Sequence, residues 1–283
     1  MCLIAFAIGA HPDCPLLIAG NRDEFFERPT APLHQWTVPG GTSSIWAGRD
    51  LRDGGTWLGF ADNGRIAMLT NVRSARAAAG ARSRGELPMR WLAGQCGLDE
   101  LAGTIDPAAY GGFNLVVGDF RAGHWAWLSN RSPQSPHTEA ASSGLHRQPL
   151  GPGIYGLSNA ALDTPWPKTE RLKAAVRHAL GKPHHDDARA LLASALADTH
   201  HAPPHQQPAT GVPREMEHAL SSPFIDMAER GYGTRSSLVA HVRRGPQAAW
   251  YLDLNEWTHP GPSGPQRHGW GTQPPVNVRI AWA

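Results

Sequence analysis

Directly behind the initiator the chain opens on an unbroken apolar run, Cys2-Leu3-Ile4-Ala5-Phe6-Ala7-Ile8, closed by Gly9 and the turn residues His11-Pro12-Asp13. A run of this length with no polar interruption fits a strand buried on both faces. A second run, Leu16-Leu17-Ile18-Ala19-Gly20, follows the turn and is expected to pair with the first as a hairpin. It breaks abruptly into Asn21-Arg22-Asp23-Glu24. Charges at the end of a buried strand must be solvated, paired or used. A hairpin sets the end of its second strand beside the start of its first, so Asp23 and a cation are expected beside the chain's amino end.

That amino end carries chemistry. Cysteine is small, so an aminopeptidase can remove Met1 and leave Cys2 first. A thiol and a free α-amine would then share one carbon. An α-amine titrates near ~7.7–8.0 and a free thiol near ~8.5, so the amine is a competent base for the thiol beside it. One residue then supplies both nucleophile and base. The plain alternative is a small buried hydrophobe.

Composition narrows the classes. At 283 residues with 41% hydrophobic content and eleven Trp, the chain can bury a full core, as two domains or as one large α/β or β-rich domain. A net charge of +2 gives no electrostatic case for nucleic acid or a membrane surface. Three widely spaced cysteines, Cys2, Cys14 and Cys96, point to reduced thiols in a cytoplasmic setting rather than a disulfide framework. The first apolar run has no basic segment before it and is too short for a signal sequence. No stretch approaches the roughly 20 apolar residues of a spanning helix.

Along the chain, 27–45 reads as a Pro/Gly/Thr/Ser-rich loop. Asn63-Gly64 between Trp57–Phe60 and Ile66–Thr70 is a hairpin signal. The strand after it ends at Asn71-Val72-Arg73, again an amide and a cation. Residues 74–85 form a basic loop, a candidate lid or a solvated linker. Amphipathic helices follow over 87–101, broken at Gly94 and Gly97. A hairpin is expected over 112–128, an aperiodic connection over 130–153, and a short strand from Ile154 to Ser158. Thr164 as N-cap and Pro165 at the first position start the clearest helix, stopped at Gly181. A second helix runs from Asp186 to Ala197. Strands over 232–239, 250–254 and 276–282 complete the pattern. The histidines of 200–205 have no ligand spacing, and no metal is expected.

An acyl-transfer site needs a nucleophile with its base, N–H donors for an oxyanion, and a charged group to orient the amine. Cys2, Asp23, Asn71, Asn159 and Arg235 all fall at expected strand ends. At these residues the sequence resembles the NRDE, or transport and Golgi organisation protein two, family. The resemblance rests on Met1-Cys2-Leu3-Ile4, Asn21-Arg22-Asp23-Glu24, Ala47-Gly48-Arg49-Asp50, Gly54-Gly55-Thr56-Trp57 and Leu69-Thr70-Asn71. It continues in Gly156-Leu157-Ser158-Asn159, Thr164-Pro165-Trp166-Pro167-Lys168 and Tyr232-Gly233-Thr234-Arg235-Ser236-Ser237.

More remotely the chain is similar to the N-terminal-nucleophile amidases that cleave bile-salt conjugates and penicillin side chains. That likeness implies an α+β fold, a four-layer αββα sandwich of two sheets faced by helices, as one domain over residues 1–283. It implies Cys2 as nucleophile, Asp23 beside the amine, Asn71 and Asn159 as oxyanion donors, and Arg235 near the thiolate, which would titrate well below a free thiol. Asn21, Arg22, Trp57 and Arg73 are the candidates for substrate contact. One departure stands out: the Arg those amidases carry just before the Asn is Gly20 here, and Arg22 lies between Asn and Asp instead. The reading is therefore an N-terminal-cysteine hydrolase of a non-peptide amide or thioester of a small hydrophobic acyl compound, with no cofactor. The family also implies a rival, a non-catalytic haem or acyl-CoA carrier, with Cys14-Pro15 the pair that can offer a thiolate to iron.

Overall fold

The computed structural model describes residues 2–41, 43–75, 80–137, 144–245, 249–261, 269–271 and 273–282. Met1 and residues 76–79 of the candidate lid lie outside these. In chain order the first nine strands are β1 (Cys2–His11), β2 (Cys14–Phe25), β3 (Thr30–Thr37), β4 (Ser44–Asp50), β5 (Leu58–Ala61), β6 (Arg65–Asn71), β7 (Phe113–Asp119), β8 (His124–Ser129) and β9 (His146–Pro149). The remainder are β10 (Gly153–Leu157), β11 (Asp226–Met227), β12 (Tyr232–Arg244), β13 (Trp250–Thr258) and β14 (Val276–Trp282). The helices are α1 (Glu86–Leu92), α2 (Leu98–Gly103), α3 (Pro167–Leu180), α4 (His185–Leu196) and α5 (Arg214–Ala219).

These elements gather into two compact units. The first comprises Met1–Glu27, Gly151–Ser158 and Asp163–Ala283, and the second Arg28–Leu150 and Asn159–Leu162. In the first unit one antiparallel sheet runs β10-β1-β2-β12-β13-β14, with β11 added to β12. Leu3, Ala5, Leu17, Ala19 and Val239 pack with Leu172 and Val176 of α3 and Leu192 and Leu196 of α4. By strand alternation Cys2, Ile4 and Phe6 take the other face, and they are equally buried. Two buried faces are why the opening run holds no polar residue. In the second unit the sheet is an unbroken meander from β3 to β9. Its Ala67, Leu69, Leu115 and Val117 pack with Leu87, Trp91 and Leu92 of α1 and Leu101 of α2. The chain is thus α+β, with two antiparallel sheets and a helix layer on each, as expected.

Three details depart from the sequence reading. Helix α3 starts at Pro167 behind Trp166, with no side-chain cap. Trp166 N instead donates to Thr164 O, and the turn this makes absorbs both residues expected to open the helix. Residues 30–37 are a strand, not a loop; it lies at the sheet edge, where exposed positions and Pro32 are tolerated. Within the expected aperiodic connection, His146–Pro149 forms the opposite edge. The Asn63-Gly64 turn is formed as expected, with Gly64 at φ +89° and Asn63 Oδ1 accepting from Arg65 N at 3.0 Å.

Helix α3 lies directly on the β10 backbone. A Cβ on Gly156 would sit 2.4 Å from Thr169 Cγ2 and 2.7 Å from Lys173 Cδ. Gly156→Ala is expected to cost about 1–3 kcal/mol by overpacking, read as a lowered urea midpoint.

Helix α4 docks its first turn through an imidazole pair. His185 stacks on His241 of β12, with centroids 4.8 Å apart and planes 13° apart. Asp253 beside them is shared by Arg243 Nε at 2.6 Å and Arg279 Nε at 2.5 Å. Burial first, then the His185 charge, pushes His241 down from 6.5 to about 4. A histidine held neutral in the folded chain favours unfolding once the unfolded chain binds its proton. Stability should therefore fall as pH drops from 6.5 towards about 4. Thermal midpoints against pH should show this slope, and His241→Leu should flatten it.

Candidate functional site

In the first unit the amino end is built by strand register. Cys2 pairs with Arg22, Leu3 with Asn21, and so on down the hairpin. Residues directly opposite share a sheet face, so the Cys2 thiol and the Arg22 guanidinium are on one side. Asp23 lies one residue beyond the Cys2–Arg22 pair, at the amino end of β1. The hairpin thus sets a carboxylate where removal of Met1 would expose an α-amine. Ser158 Oγ donates to the Cys2 carbonyl at 3.3 Å, tying the β10 end to the β1 end.

Strand β12 closes the other side of β2. Thr234 pairs with Asp23 and Ser236 with Arg22, so Arg235 is the extra residue of a bulge. Bulges re-aim side chains. Here Arg235 Nη1 donates to the carbonyls of Phe25 at 2.8 Å and Phe26 at 3.1 Å. Burial first, then the charge of Arg22, lowers its proton affinity from the ordinary value, and Glu24 opposes this. The cation across from Cys2 is therefore Arg22, and Arg235 braces the end of β2. Arg22 also pairs with Glu24 at 3.8 Å.

Asp23 is 1% exposed, and its Oδ1 accepts from Thr234 Oγ1 at 2.7 Å. Asn21 is fully buried: Nδ2 donates to Leu196 O and Pro223 O, both at 2.9 Å, and Oδ1 accepts from Ser237 Oγ at 2.6 Å. Its amide joins β2 to the end of α4 and to β12. That commits its hydrogen bonds to the fold, and a substrate contact, as expected from sequence, does not fit this placement.

The Cys2 thiol departs from expectation. It is 7% exposed, and burial pushes it up to about 11; the positive amino terminus lowers it most, then Arg22, while Asp23 and Glu24 raise it. A depressed thiol is expected of the chain beginning at Cys2; in the chain that keeps Met1, desolvation outweighs the amino-terminal charge and Arg22 together. In this state the sulfur is a protonated thiol at neutral pH. Cys14 is likewise a core residue, pushed up to about 12 by burial, with Sγ 3.6 Å from Leu16 O. At 6% exposure its sulfur is packed among the side chains of the first unit's core cluster.

The second unit holds the remaining candidates. Asn71 ends β6 and Asn159 begins the 159–162 segment. Asn159 Nδ2 donates to Asn71 O at 3.0 Å and to Asn71 Oδ1 at 3.1 Å. With Oδ1 used as an acceptor, the Asn71 side chain keeps its Nδ2 to donate, whereas the Asn159 amide is spent on aligning Asn71. Arg73 N donates to Asn159 O at 2.8 Å, and the Arg73 side chain is buried at 4% exposure. Trp57 is 6% exposed, and its carbonyl accepts from Leu69 N at 2.7 Å. The sequence reading missed Thr234 and Ser237, which fix Asp23 and Asn21. Both fall in a quoted box, but only strand pairing shows whom they touch. Among the described residues no group of three or more His, Cys, Asp or Glu is placed to hold a metal ion, and no helix is long and apolar enough to cross a membrane.

Comparison with solved structures finds the C2A mutant of conjugated bile acid hydrolase from Clostridium perfringens, at TM-score 0.49 and 9% identity, over 96% of this chain and 97% of that one. It also finds a Caenorhabditis elegans N-acylethanolamine-hydrolyzing acid amidase ortholog at TM-score 0.42 and 12% identity, over 78% and 97%. Relatives by sequence are nearer. The bovine transport and Golgi organization protein 2 homolog is 33% identical over 262 residues, covering 86% of this chain and 88% of its own. The human homolog is 30% identical over 282 residues, covering 91% and 96%. Residues 1–251, which hold Cys2, the 21–24 box and the 232–237 box, match the Transport and Golgi organisation 2 family model, and the chain belongs to that family.

Proposed function

We propose that removal of Met1 turns Cys2 into an N-terminal nucleophile that cleaves a non-peptide amide or thioester of a small hydrophobic acyl compound, in a cytoplasmic setting. The observation that carries this is the register of the first hairpin. It sets Arg22 across from the thiol and a buried, Thr234-bound Asp23 at the amino end of β1.

The steps follow from those groups. The α-amine takes the thiol proton as sulfur bonds to the acyl carbon, and the carbonyl π pair moves to oxygen. The oxyanion collapses, the bond to nitrogen or sulfur breaks, and the α-ammonium returns its proton to the leaving group. Water then attacks the thioester by the same route and releases the acid. Asp23 keeps the ammonium charged during the transfer. The oxyanion assignment to Asn71 is retained from the resemblance, with Asn159 as its aligning partner. Losing such a donor costs about 10²–10³ in rate, and Asn71→Ala tests it.

The experiment is acyl capture. The chain beginning at Cys2, mixed with a p-nitrophenyl acyl ester, should gain one acyl group on the Cys2 peptide. Capture on no peptide, or on Cys14 and Cys96 equally, would remove the reading.

A second reading is favoured by the raised Cys2 thiol: a chain that keeps Met1 would be a non-catalytic carrier of haem or acyl-CoA. Because Cys14 is a core thiol, haem titrations of Cys14→Ala and the unaltered chain are expected to superimpose.

A further inference from the structure

We infer that Thr234 is the positioning residue of this site: its hydroxyl fixes the Asp23 carboxylate and through it sets the ionisation of the Cys2 thiol–amine pair. This rests on the reading of Cys2 as an N-terminal nucleophile.

Thr234 is fully buried. Its Oγ1 accepts from Ile225 N at 2.9 Å and donates to Asp23 Oδ1 at 2.7 Å. A hydroxyl has a single proton. With the Ile225 N–H aimed at its oxygen, that proton goes to the carboxylate, so the chain has one direction: Ile225 N–H to Thr234 O–H to Asp23. A hydrogen bond onto a charged acceptor is the strong kind, and it selects the ionised carboxylate.

The backbone locks the hydroxyl in turn. Thr234 N donates to Ile225 O at 3.0 Å, so Ile225 grips Thr234 through both backbone and side chain. Ile225 itself sits in an apolar cluster with Leu220, Met227 and Tyr232. The bulge after Thr234 separates two tasks. Arg235 is turned out to the Phe25 and Phe26 carbonyls, while Thr234 stays opposite Asp23. The carboxylate is therefore aligned by the core before any substrate arrives, which is what orienting a catalytic amine requires.

The Asp23 charge by itself opposes the thiolate, but an aligned carboxylate favours the ammonium, and the ammonium, which shares a carbon with the thiol's methylene, favours the thiolate more strongly. Thr234→Val keeps the shape and removes the hydroxyl. In the full chain beginning at Cys2, iodoacetamide labelling of the Cys2 peptide should then fall about 3- to 10-fold at neutral pH. Its midpoint should rise by roughly 0.5–1 unit. Thr234→Ser should restore the unaltered profile, a rescue that a purely packing role would not show. Slow labelling of buried Cys14 reports that each variant is folded, and Thr234→Ala serves if the valine variant is not.

If the unaltered chain has a depressed Cys2 midpoint that Asp23→Asn shifts but Thr234→Val or Thr234→Ala does not, the inference is overturned and the nucleophile reading stands. If the unaltered Cys2 midpoint is no lower than a free thiol, the nucleophile reading fails and the inference goes with it.

Discussion

Cys2→Ala is expected to abolish both acyl capture and turnover of an activated acyl ester by the chain lacking Met1. The variant should stay folded. The side chain lost is small, and its burial contributes about 1 kcal/mol, a modest shift in a urea midpoint. Retained turnover in a folded Cys2→Ala chain would place the chemistry elsewhere. Parallel losses of turnover and fold would make Cys2 a packing residue. The expected pattern, complete loss of chemistry on a nearly unchanged scaffold, follows from where the strand puts the residue. Cys2 is the first residue of β1 and adds little to the core that Leu3, Ala5 and Ala7 share with α3 and α4.

The second large effect is expected at Asp23. Asp23→Asn preserves size and can still accept from Thr234, but it removes the charge that orients the α-amine. Base catalysis of this kind contributes about 10²–10⁴ in rate, and the loss should appear in kcat with KM little changed. Stability should move the other way or not at all, because a 1%-exposed carboxylate is costly to keep charged. A variant that loses activity while its thermal midpoint holds or rises would separate Asp23 from an ordinary structural anion. An Asp23→Asn chain as active as the unaltered one would leave the α-amine without its proposed partner.

Much of this was legible in the residues because the signals are local. Apolar runs bounded by turn residues locate β1, β2, β6 and β7, and hairpin geometry alone brings Asp23 back to the amino end. Gly94 and Gly97 mark the break between α1 and α2, with Gly94 at φ +76°. What sequence missed depends on partners far along the chain. β3 carries His34, Gln35 and Pro32, so it lacks an apolar period, and only pairing with β4 makes it a strand. Asn21 looks like a polar group available at a strand end, yet it is consumed by carbonyls 175 and 202 residues away. Burial of the Cys2 thiol is likewise invisible in the sequence, and in the chain that keeps Met1 it outweighs the charges that lower the thiol. That raised thiol gives Met1 removal its weight, because it supplies the base that a buried neutral thiol needs.

Catalysis by Cys2 therefore requires a mature chain that begins at Cys2, and intact mass of the protein purified from its native cell reads this directly. The expected mass is that of the chain without Met1, with a free α-amine on the Cys2 peptide. A population that retains Met1, or carries a blocked Cys2 amine, would contradict the N-terminal nucleophile.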